Sequence, residues 1–509
     1  MKINYFLILI ISIYTNLVLS QNTSANEVDV VSLNNFFKTH KAFVIYEDEV
    51  KELYKNYHSF FWYKDNQISE FAELMYNASC KIGEEGLPKE IPYQKEIDKL
   101  FKVSKKITLK KQDDILLTCL YYYYVDKVFK GLSIDKSIKT GWKIPRKRDN
   151  YFSWLSLTSE SKEDLILEKK LLFNQYYQLK LALQKYSKID LAGGWDSIPH
   201  EIKEEIKPND VSDLIKDIRH RLFIEGYLTN DSKSKLYDKE LENSIITYQE
   251  HHGMIPQVNI NQTLLTSLNV SVKERIECIA VNMERCRWIN PNHETNYIAV
   301  NIPSFMLFYF KNNELVFSSK VVVGKEMNKT VVFSGILNQI IFNPYWNVPS
   351  SILKKEILPA IRKNPHYLKQ HQMEWHNGKV RQKPGDNNAL GRVKFIFPNS
   401  NNIYLHDTPQ KTLFNEEKRA FSHGCIRVEK ASEMAVKLMQ ENYGWMEQQT
   451  INAMQHNTQK MYPLTKQLPV YIVYFTAWAN TSGNAFFFPD IYKRDKILSE
   501  MLFEQVSEK

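Results

Sequence analysis

Cysteine is scarce in this chain: there are five in 509 residues, Cys80, Cys119, Cys278, Cys286 and Cys425. So low a density excludes a scaffold built on disulfides, and the odd number leaves at least one thiol unpaired, or paired outside the chain, even in an oxidising compartment. Glycine and proline are sparse too, at 16 and 18, and no heptad or short tandem period is present, so collagen-like, linker-like and repeat architectures are excluded. Beyond the N-terminus no segment approaches the roughly 20 apolar residues that a membrane span needs. No block of a single charge sign stands out. The net +9 is spread along the chain as a solvated basic surface, compatible with acidic polymers or lipid headgroups; no nucleic-acid partner is expected of an exported protein.

What the chain does have is length. At 509 residues it exceeds a single core of roughly 100–200 residues, so two to four domains are expected. Lys2, the apolar stretch Tyr5 to Ile13 and Val18-Leu19-Ser20 before Gln21 read as a signal peptide over residues 1–20. The expected location is therefore the periplasm or cell envelope, with anchoring to the inner membrane by an uncleaved signal as the minority reading. Cys278 and Cys286 lie in one expected helix, where eight residues at about 1.5 Å each put them about 12 Å apart, beyond disulfide reach. They read as core thiols. Whether Cys80 pairs with Cys119 is left open.

Residues 21–204 read as a helical domain. Phe71, Leu74, Met75 and Ala78 recur at helical spacing behind a Ser69 cap, with Gly86 as a stop. Further helices are expected over Ile115 to Phe129 and Asp164 to about Tyr186. Tyr121 to Tyr124 are consecutive, so on a helix they point in all directions and are expected to pack rather than to form a sugar platform. A smaller helical unit follows over residues 205–270, in which Leu241, Ile245 and Tyr248 share a face before Gly253. His251 and His252 are adjacent on that helix and lack a third ligand, so they do not form a zinc motif. This unit resembles the peptidoglycan-binding module of wall enzymes through Arg221-Leu222, Gly226 to Leu228, Tyr237-Asp238, Tyr248-Gln249, His252-Gly253, Thr263-Leu264 and Leu268-Asn269. It departs from that pattern at Gln257 to Asn261, where the usual glycines are missing.

A helix through Glu274 to Ile289 leads into strand-like sequence: "NYIAVNIPSFMLFYF", a Lys311-Asn312-Asn313-Glu314 turn, "LVFSSKVVVG" and "VVFSGILNQIIFN". These read as hairpins of an antiparallel, mostly β domain over residues 290–480. Residues 343–385 interrupt it with a polar, proline-punctuated, partly helical insertion, a lid candidate. Residues 481–509 are left as a C-terminal tail. The fold class is thus α+β and multidomain.

The chemistry gathers near Cys425. In "NIYLHDTP" the aliphatic Ile403 and Leu405 alternate with Tyr404 and His406, so Tyr404 and His406 share the face away from the core. Cys425 follows within Ser422-His423-Gly424-Cys425-Ile426-Arg427, and Ala431, Met434, Ala435, Leu438 and Met439 then mark a helix. A neighbouring imidazole, Arg427 and a helix N-terminus would each favour a nucleophilic thiolate. Gly424 permits an unusual backbone angle, so the amides of Gly424 and Cys425 are candidates for an oxyanion hole.

These residues resemble the catalytic domain of bacterial L,D-transpeptidases: a histidine, a loop, then Ser/Thr-His-Gly-Cys followed one residue later by Asn or Arg. "NPYWNVPSSI", "RQKPGDNNALGRVKF" and "IYLHDTP" resemble further signatures of the large subgroup with a helical scaffold, a wall-binding module and a capping insertion. The resemblance implies a β-sandwich catalytic domain and acyl transfer between peptidoglycan stem peptides, with Cys425 as nucleophile and His406 as base. His423 and Ser422 would shape the loop, Tyr404 and Asp407 would support the site, and Arg427 would hold the substrate carboxylate or the loop. A donor tetrapeptide and an acceptor amine are the implied substrates, peptidoglycan synthases are candidate partners, and neither a nucleotide nor a metal is required. A hydrolase using the same site, a carboxypeptidase or endopeptidase, is the nearest rival, and a non-catalytic wall-binding scaffold the next. Papain-like order and sortase-like chemistry fit less well: the first has cysteine ahead of histidine, the second lacks Ser-His-Gly-Cys.

Overall fold

The computed structural model describes residues 28–57, 60–64, 67–102, 110–146, 171–199, 202 and 204–504. The signal-peptide segment and the start of the helix expected from Asp164 lie outside them. No described helix is long and apolar enough to cross a membrane.

Helix α1 (Glu70–Cys80) starts where expected, with the Ser69 hydroxyl accepting from the Ala72 N–H, and Gly86 ends the following turn at φ +70°. Its buried face is Ala72, Met75 and Ser79, and Leu74 is left exposed. Helix α2 (Lys111–Val125) carries the four tyrosines and continues into a π turn, Asp126–Lys130, short of the single helix expected to Phe129. All four rings are buried, as packing and not a sugar platform requires. Helix α3 (Asn174–Leu191) runs beyond Tyr186. The small module comprises α4 (Asp213–Glu225), α5 (Lys239–His251) and α6 (Gln262–Leu268), and Leu241, Ile245 and Tyr248 lie in a core of its own. His252 is stacked on Tyr248 with ring centres 3.7 Å apart.

Helix α7 (Val272–Arg287) joins the parts. Its Arg287 is fully buried and donates to Val128 O (2.9 Å), Glu85 O (2.6 Å) and Glu284 Oε2 (3.0 Å). Glu284 also accepts from Leu132 N–H and Trp288 Nε1–H. Helical and β regions consequently share one continuous hydrophobic core, from Val28 to Leu502.

Nine strands follow: β1 (Tyr297–Asn301), β2 (Met306–Lys311), β3 (Glu314–Gly324), β4 (Phe333–Phe342), β5 (Val393–Ile396), β6 (Leu405–His406), β7 (Ala420–Ser422), β8 (Ile426–Val428) and β9 (Lys460–Val473). The order is β7-β3-β8-β6-β5-β4-β9-β1-β2, and β2 also pairs with β3, which closes the sheet on itself. Long β3 makes this possible, pairing with β2 along its first half and with β8 at Val321 and Val322. The β2–β3 turn is tight because Asn312 and Asn313 both accept positive φ, 52° and 63°. One expectation is corrected: the domain is not all antiparallel, since β6–β8, β1–β9 and β3–β7 pair in parallel.

The insertion holds more than turns and helix. Trp346–Asn347, Lys379–Gln382 and Met373–His376 form a three-stranded antiparallel sheet over a separate core of Val348, Ile352, Ile357, Met373 and Val380. Residues 481–504 are no tail. They form a strand, Ala485–Phe487, and helix α9 (Asp495–Leu502), whose Asp495 binds buried Arg285 at 2.7 Å.

Removing one member of a buried ion pair strands the other in low dielectric, a loss of about 3–5 kcal/mol. Glu284→Ala is expected to lower stability by that order in urea denaturation followed by tryptophan fluorescence, because it leaves Arg287 unpaired.

Candidate active site

Strands β6 and β8 run side by side in parallel, with Leu405 opposite Ile426 and His406 opposite Arg427. The Ile426 N–H donates to Tyr404 O at 3.1 Å, so the same register sets Cys425 beside Tyr404. Leu405, Ile426 and Val428 are buried, which turns Tyr404, His406, Cys425 and Arg427 to the opposite face. On the other side β5 pairs Lys394 with His406. The face thus carries one row of Lys394, His406 and Arg427, and next to it Tyr404 and Cys425.

Cys425 is half-buried, and its Sγ–H donates to Asn402 O at 3.7 Å. Asn402 itself sits at φ +53°. Burial pushes the thiol pKa up, opposed by Tyr404, Lys394 and Arg427. His406 is 5% exposed. Its Nδ1 lies 2.5 Å from Asp407 O, an acceptor only, so Nδ1 carries the proton and Nε2 is the free base. Burial, Arg427 and Lys394 lower its pKa to about 3. Thiol and imidazole are therefore both neutral at rest. They are one row apart on the shared face with no hydrogen bond between them, and the expected resting Cys–His contact is replaced by the thiol's bond to Asn402 O.

Two further expectations change. The helix after Cys425, α8 (Ala431–Tyr443), begins beyond β8, so its N-terminus does not act on the thiol. The Gly424 N–H donates to Ser422 Oγ (3.1 Å), which leaves the Cys425 N–H as the amide available for an oxyanion. Ser422 Oγ in turn donates to Cys425 O at 2.5 Å. His423 points away from the sulfur and binds Glu356 of the insertion at 2.9 Å, because Gly424 reverses the chain at φ +117°. The Asp407 carboxylate accepts from the Arg392 N–H (2.9 Å) and Lys411 (2.7 Å), and it packs where a side chain at Gly391 would stand. Arg427 donates to Gln410 Oε1 at 2.6 Å.

Sequence reading missed Lys394, whose ammonium lies 3.7 Å from the Tyr404 ring centre; a lone strand lysine gives no signal until its neighbours are known. It also missed the brace behind the loop. Thr330 Oγ1 donates to Gly424 O (2.9 Å) and accepts from the Gly324 N–H (2.9 Å), while the Tyr492 hydroxyl donates to Gly324 O (2.5 Å) and accepts from the Thr330 N–H (3.1 Å). A Cβ on Gly324 would come within 2.0 Å of Asn328 O, so the two backbones meet only through glycine.

Residues 295–464 match YkuD, the L,D-transpeptidase catalytic domain, and residues 48–183 match a scaffold domain. Two family models thus match separate stretches of the chain, one of them an L,D-transpeptidase catalytic domain and the other a scaffold domain. A curated relative from Haemophilus influenzae, named "Putative L,D-transpeptidase", is 36% identical over 239 residues, 43% of this chain and 48% of that protein. The chain therefore spans about half the length of this relative. Solved structures with a likeness include an L,D-transpeptidase from Mycobacterium smegmatis (11% identity, 35% of this chain and 58% of that one, TM-score 0.20) and one from Stackebrandtia nassauensis (13%, 53% and 97%, TM-score 0.22). At those scores the structural likenesses carry no argument.

Three outcomes are expected. For catalysis with His406 as the base, the kcat/KM profile reports that group in the free enzyme; with His406 lowered to about 3, the acid limb falls well below pH 5, and a limb near 6.5 would contradict the buried neutral ring. For stability the sign is the same, since unfolded histidine takes its proton near pH 6.5 and folding loses this contribution progressively as pH falls from there toward 3. Thr330→Val removes the donor to Gly424 O, and kcat is expected to fall by roughly tenfold or more through loop misplacement, with the circular dichroism spectrum unchanged.

Proposed function

We propose that this protein is a cysteine-dependent L,D-transpeptidase, an acyltransferase that joins peptidoglycan stem peptides through a thioester on Cys425. The observation that carries the reading is the placement of Cys425 and the free Nε2 of His406 on one face of adjacent strands, inside the segment that matches the catalytic domain.

The steps balance with these residues alone. The thiol turns from Asn402 O toward His406, whose Nε2 takes its proton as sulfur bonds to the carbonyl at the L-centre of the donor's diamino acid. The Cys425 N–H faces the charge that develops on oxygen. The carbon–nitrogen bond to the terminal D-residue breaks, and that amine leaves with the proton from His406. A side-chain amine of a second stem then attacks the thioester, gives its proton to His406, and the returning thiolate recovers it. Neutral partners suit this order, because charge forms only as the carbonyl is attacked and the low-dielectric site then rewards each donor placed for it.

Water competes for the thioester. The insertion, tied to the catalytic loop by Glu356 and His423, is well placed to cover it while the acceptor binds. A stem-peptide substrate puts the protein outside the cytoplasmic membrane, in keeping with the signal-like Lys2 and Tyr5 to Ile13, and makes wall synthases reasonable partners in wall biosynthesis or remodelling.

Incubation of the protein with disaccharide-tetrapeptides is expected to yield dimers lacking one terminal D-residue by mass spectrometry, and Cys425→Ala to abolish them. Monomeric tripeptides alone would make the protein a hydrolase. Dimers surviving in Cys425→Ala would place the chemistry elsewhere.

A further inference from the structure

A groove of about 880 Å³ lies away from the thiol, between the start of α3 and the outer face of β9, β1 and β2, a volume within the range of ligand sites. Its floor is small: Ala299 stands in register between Phe308 and Tyr471, with Ser334 beside Tyr471. Its walls are aromatic. Tyr297 stacks on Phe310 with ring centres 4.8 Å apart, His293 and Tyr471 lie 4.9 and 5.8 Å from Tyr297, and Phe173 stands 5.6 Å from His293 and 6.3 Å from Trp478. All six of these rings are half-buried. The charge of the lining is the deciding feature. Although the chain has 67 lysines and arginines, none is among the described residues that line the groove, and Glu294 is the one carboxylate there. The Tyr471 hydroxyl donates to Glu294 Oε2 at 2.6 Å, which leaves Oε1 to accept from a ligand.

Resting on the transpeptidase reading, we propose that this groove binds the glycan of the substrate polymer, a chain of neutral N-acetylated amino sugars, apart from the stem that Cys425 attacks. A groove with a carboxylate and no cation disfavours phosphates and the carboxylate-bearing stems. It suits a neutral ligand with apolar faces and many hydroxyls: the negative faces of the rings attract the C–H face of a sugar, Glu294 accepts from its hydroxyls, and the amides of Asn174 and Gln178 on α3 complete the polar side. The groove and the thiol open on the same outer face of the closed sheet. Phe308 is opposite Ser318 and Arg427 opposite Val322, and Ser318 and Val322 alternate with buried Ser319 and Val321. Ser318 to Val322 is about 13 Å of strand and Cys425 lies two residues further from the groove than Arg427, so the two sites are about 20 Å apart along the sheet. A stem tetrapeptide spans at most about 14 Å when extended. One stem cannot fill both sites, whereas a polymer with many stems can.

The experiment uses the full chain and two probes: soluble glycan chains freed of their stems, and the same chains with stems attached. Calorimetry is expected to show binding of the stem-free chains to the native protein, weakened by about tenfold or more in Ala299→Phe, which fills the floor, and by about threefold or more in Glu294→Gln, which changes an exposed side chain and leaves the sheet intact. The native protein is expected to have a KM for the stem-bearing polymer about tenfold or more below that for the disaccharide-tetrapeptide, and Ala299→Phe to remove the difference. Binding of stem-free chains that survives both substitutions overturns the groove, because the small module or another surface then carries it. Residues 147–170, which include Tyr151, Phe152 and Trp154 and lie between Arg146 and Leu171, are the rival occupant: no binding by the native protein, with a melting temperature lowered in Ala299→Phe, assigns the groove to them and overturns the proposal. Binding that both substitutions weaken, in a native protein that forms no peptide dimers, keeps the groove and overturns the transpeptidase reading instead.

Discussion

The parallel pairing of β6 with β8 is the constraint on which the site depends. Tyr404 and Cys425 come from segments some twenty residues apart, and their side chains meet because Leu405 stands opposite Ile426 and both are buried. A one-residue slip would turn that face over. Leu405, Ile426 and Val428 would then lose their burial, about 1.5–3 kcal/mol each, a sum comparable with the whole stability of roughly 5–15 kcal/mol expected of a domain. Core packing under the strands therefore decides which way the thiol faces. The flanking strands reinforce it: β3 pairs with the far side of β8 at Val321 and Val322, and β5 holds the far side of β6.

Behind this register stands the rest of the molecule. Thr330 and Tyr492 brace the glycine crossing at Gly324 and Gly424, and Tyr492 belongs to the segment that continues into α9, itself held by Asp495 on Arg285 of α7. The same α7 buries Arg287 among scaffold carbonyls. A continuous chain of buried polar contacts thus runs from the scaffold helices to the carbonyl of Gly424, through groups that each cost more to strand than to satisfy. The small module keeps a separate core but is tied to the same frame, by Arg275 of α7 on Ser267 O (3.0 Å) and the Tyr186 hydroxyl of α3 on Glu225.

Legibility in the sequence followed range. The Ser69 cap, the face of Leu241, Ile245 and Tyr248, and the packed tyrosines were readable because helical period and local sterics determine them. The helix after Cys425 was readable too, with Ala431, Met434, Ala435, Leu438 and Met439 all buried, but the three-residue strand before it is too short to register as alternation. Parallel pairing was not readable, since nothing within β6 or β8 names its partner. Leu74 broke the expected face because the helix is covered around Ala72 and Ser79 instead. Lys394 and the carbonyl of Asn402 entered the site only through the register and a positive φ, neither of which is a property of residue type.

The two histidines show why nearness along the chain misleads about chemistry. His423 is two residues from Cys425, yet the turn at Gly424 sends it to Glu356, while His406, nineteen residues upstream, faces the same side as the thiol. The Glu356–His423 pair is exposed by 53% and 40%, and an exposed ion pair is worth about 0–1 kcal/mol. It cannot hold the insertion against the catalytic loop by itself. The insertion's fold does not depend on that contact either, because Val348, Ile352, Ile357, Met373 and Val380 supply it with a core. The insertion therefore keeps its shape through its own core, and the register that positions Cys425 is set without it, by the pairing of β6 with β8.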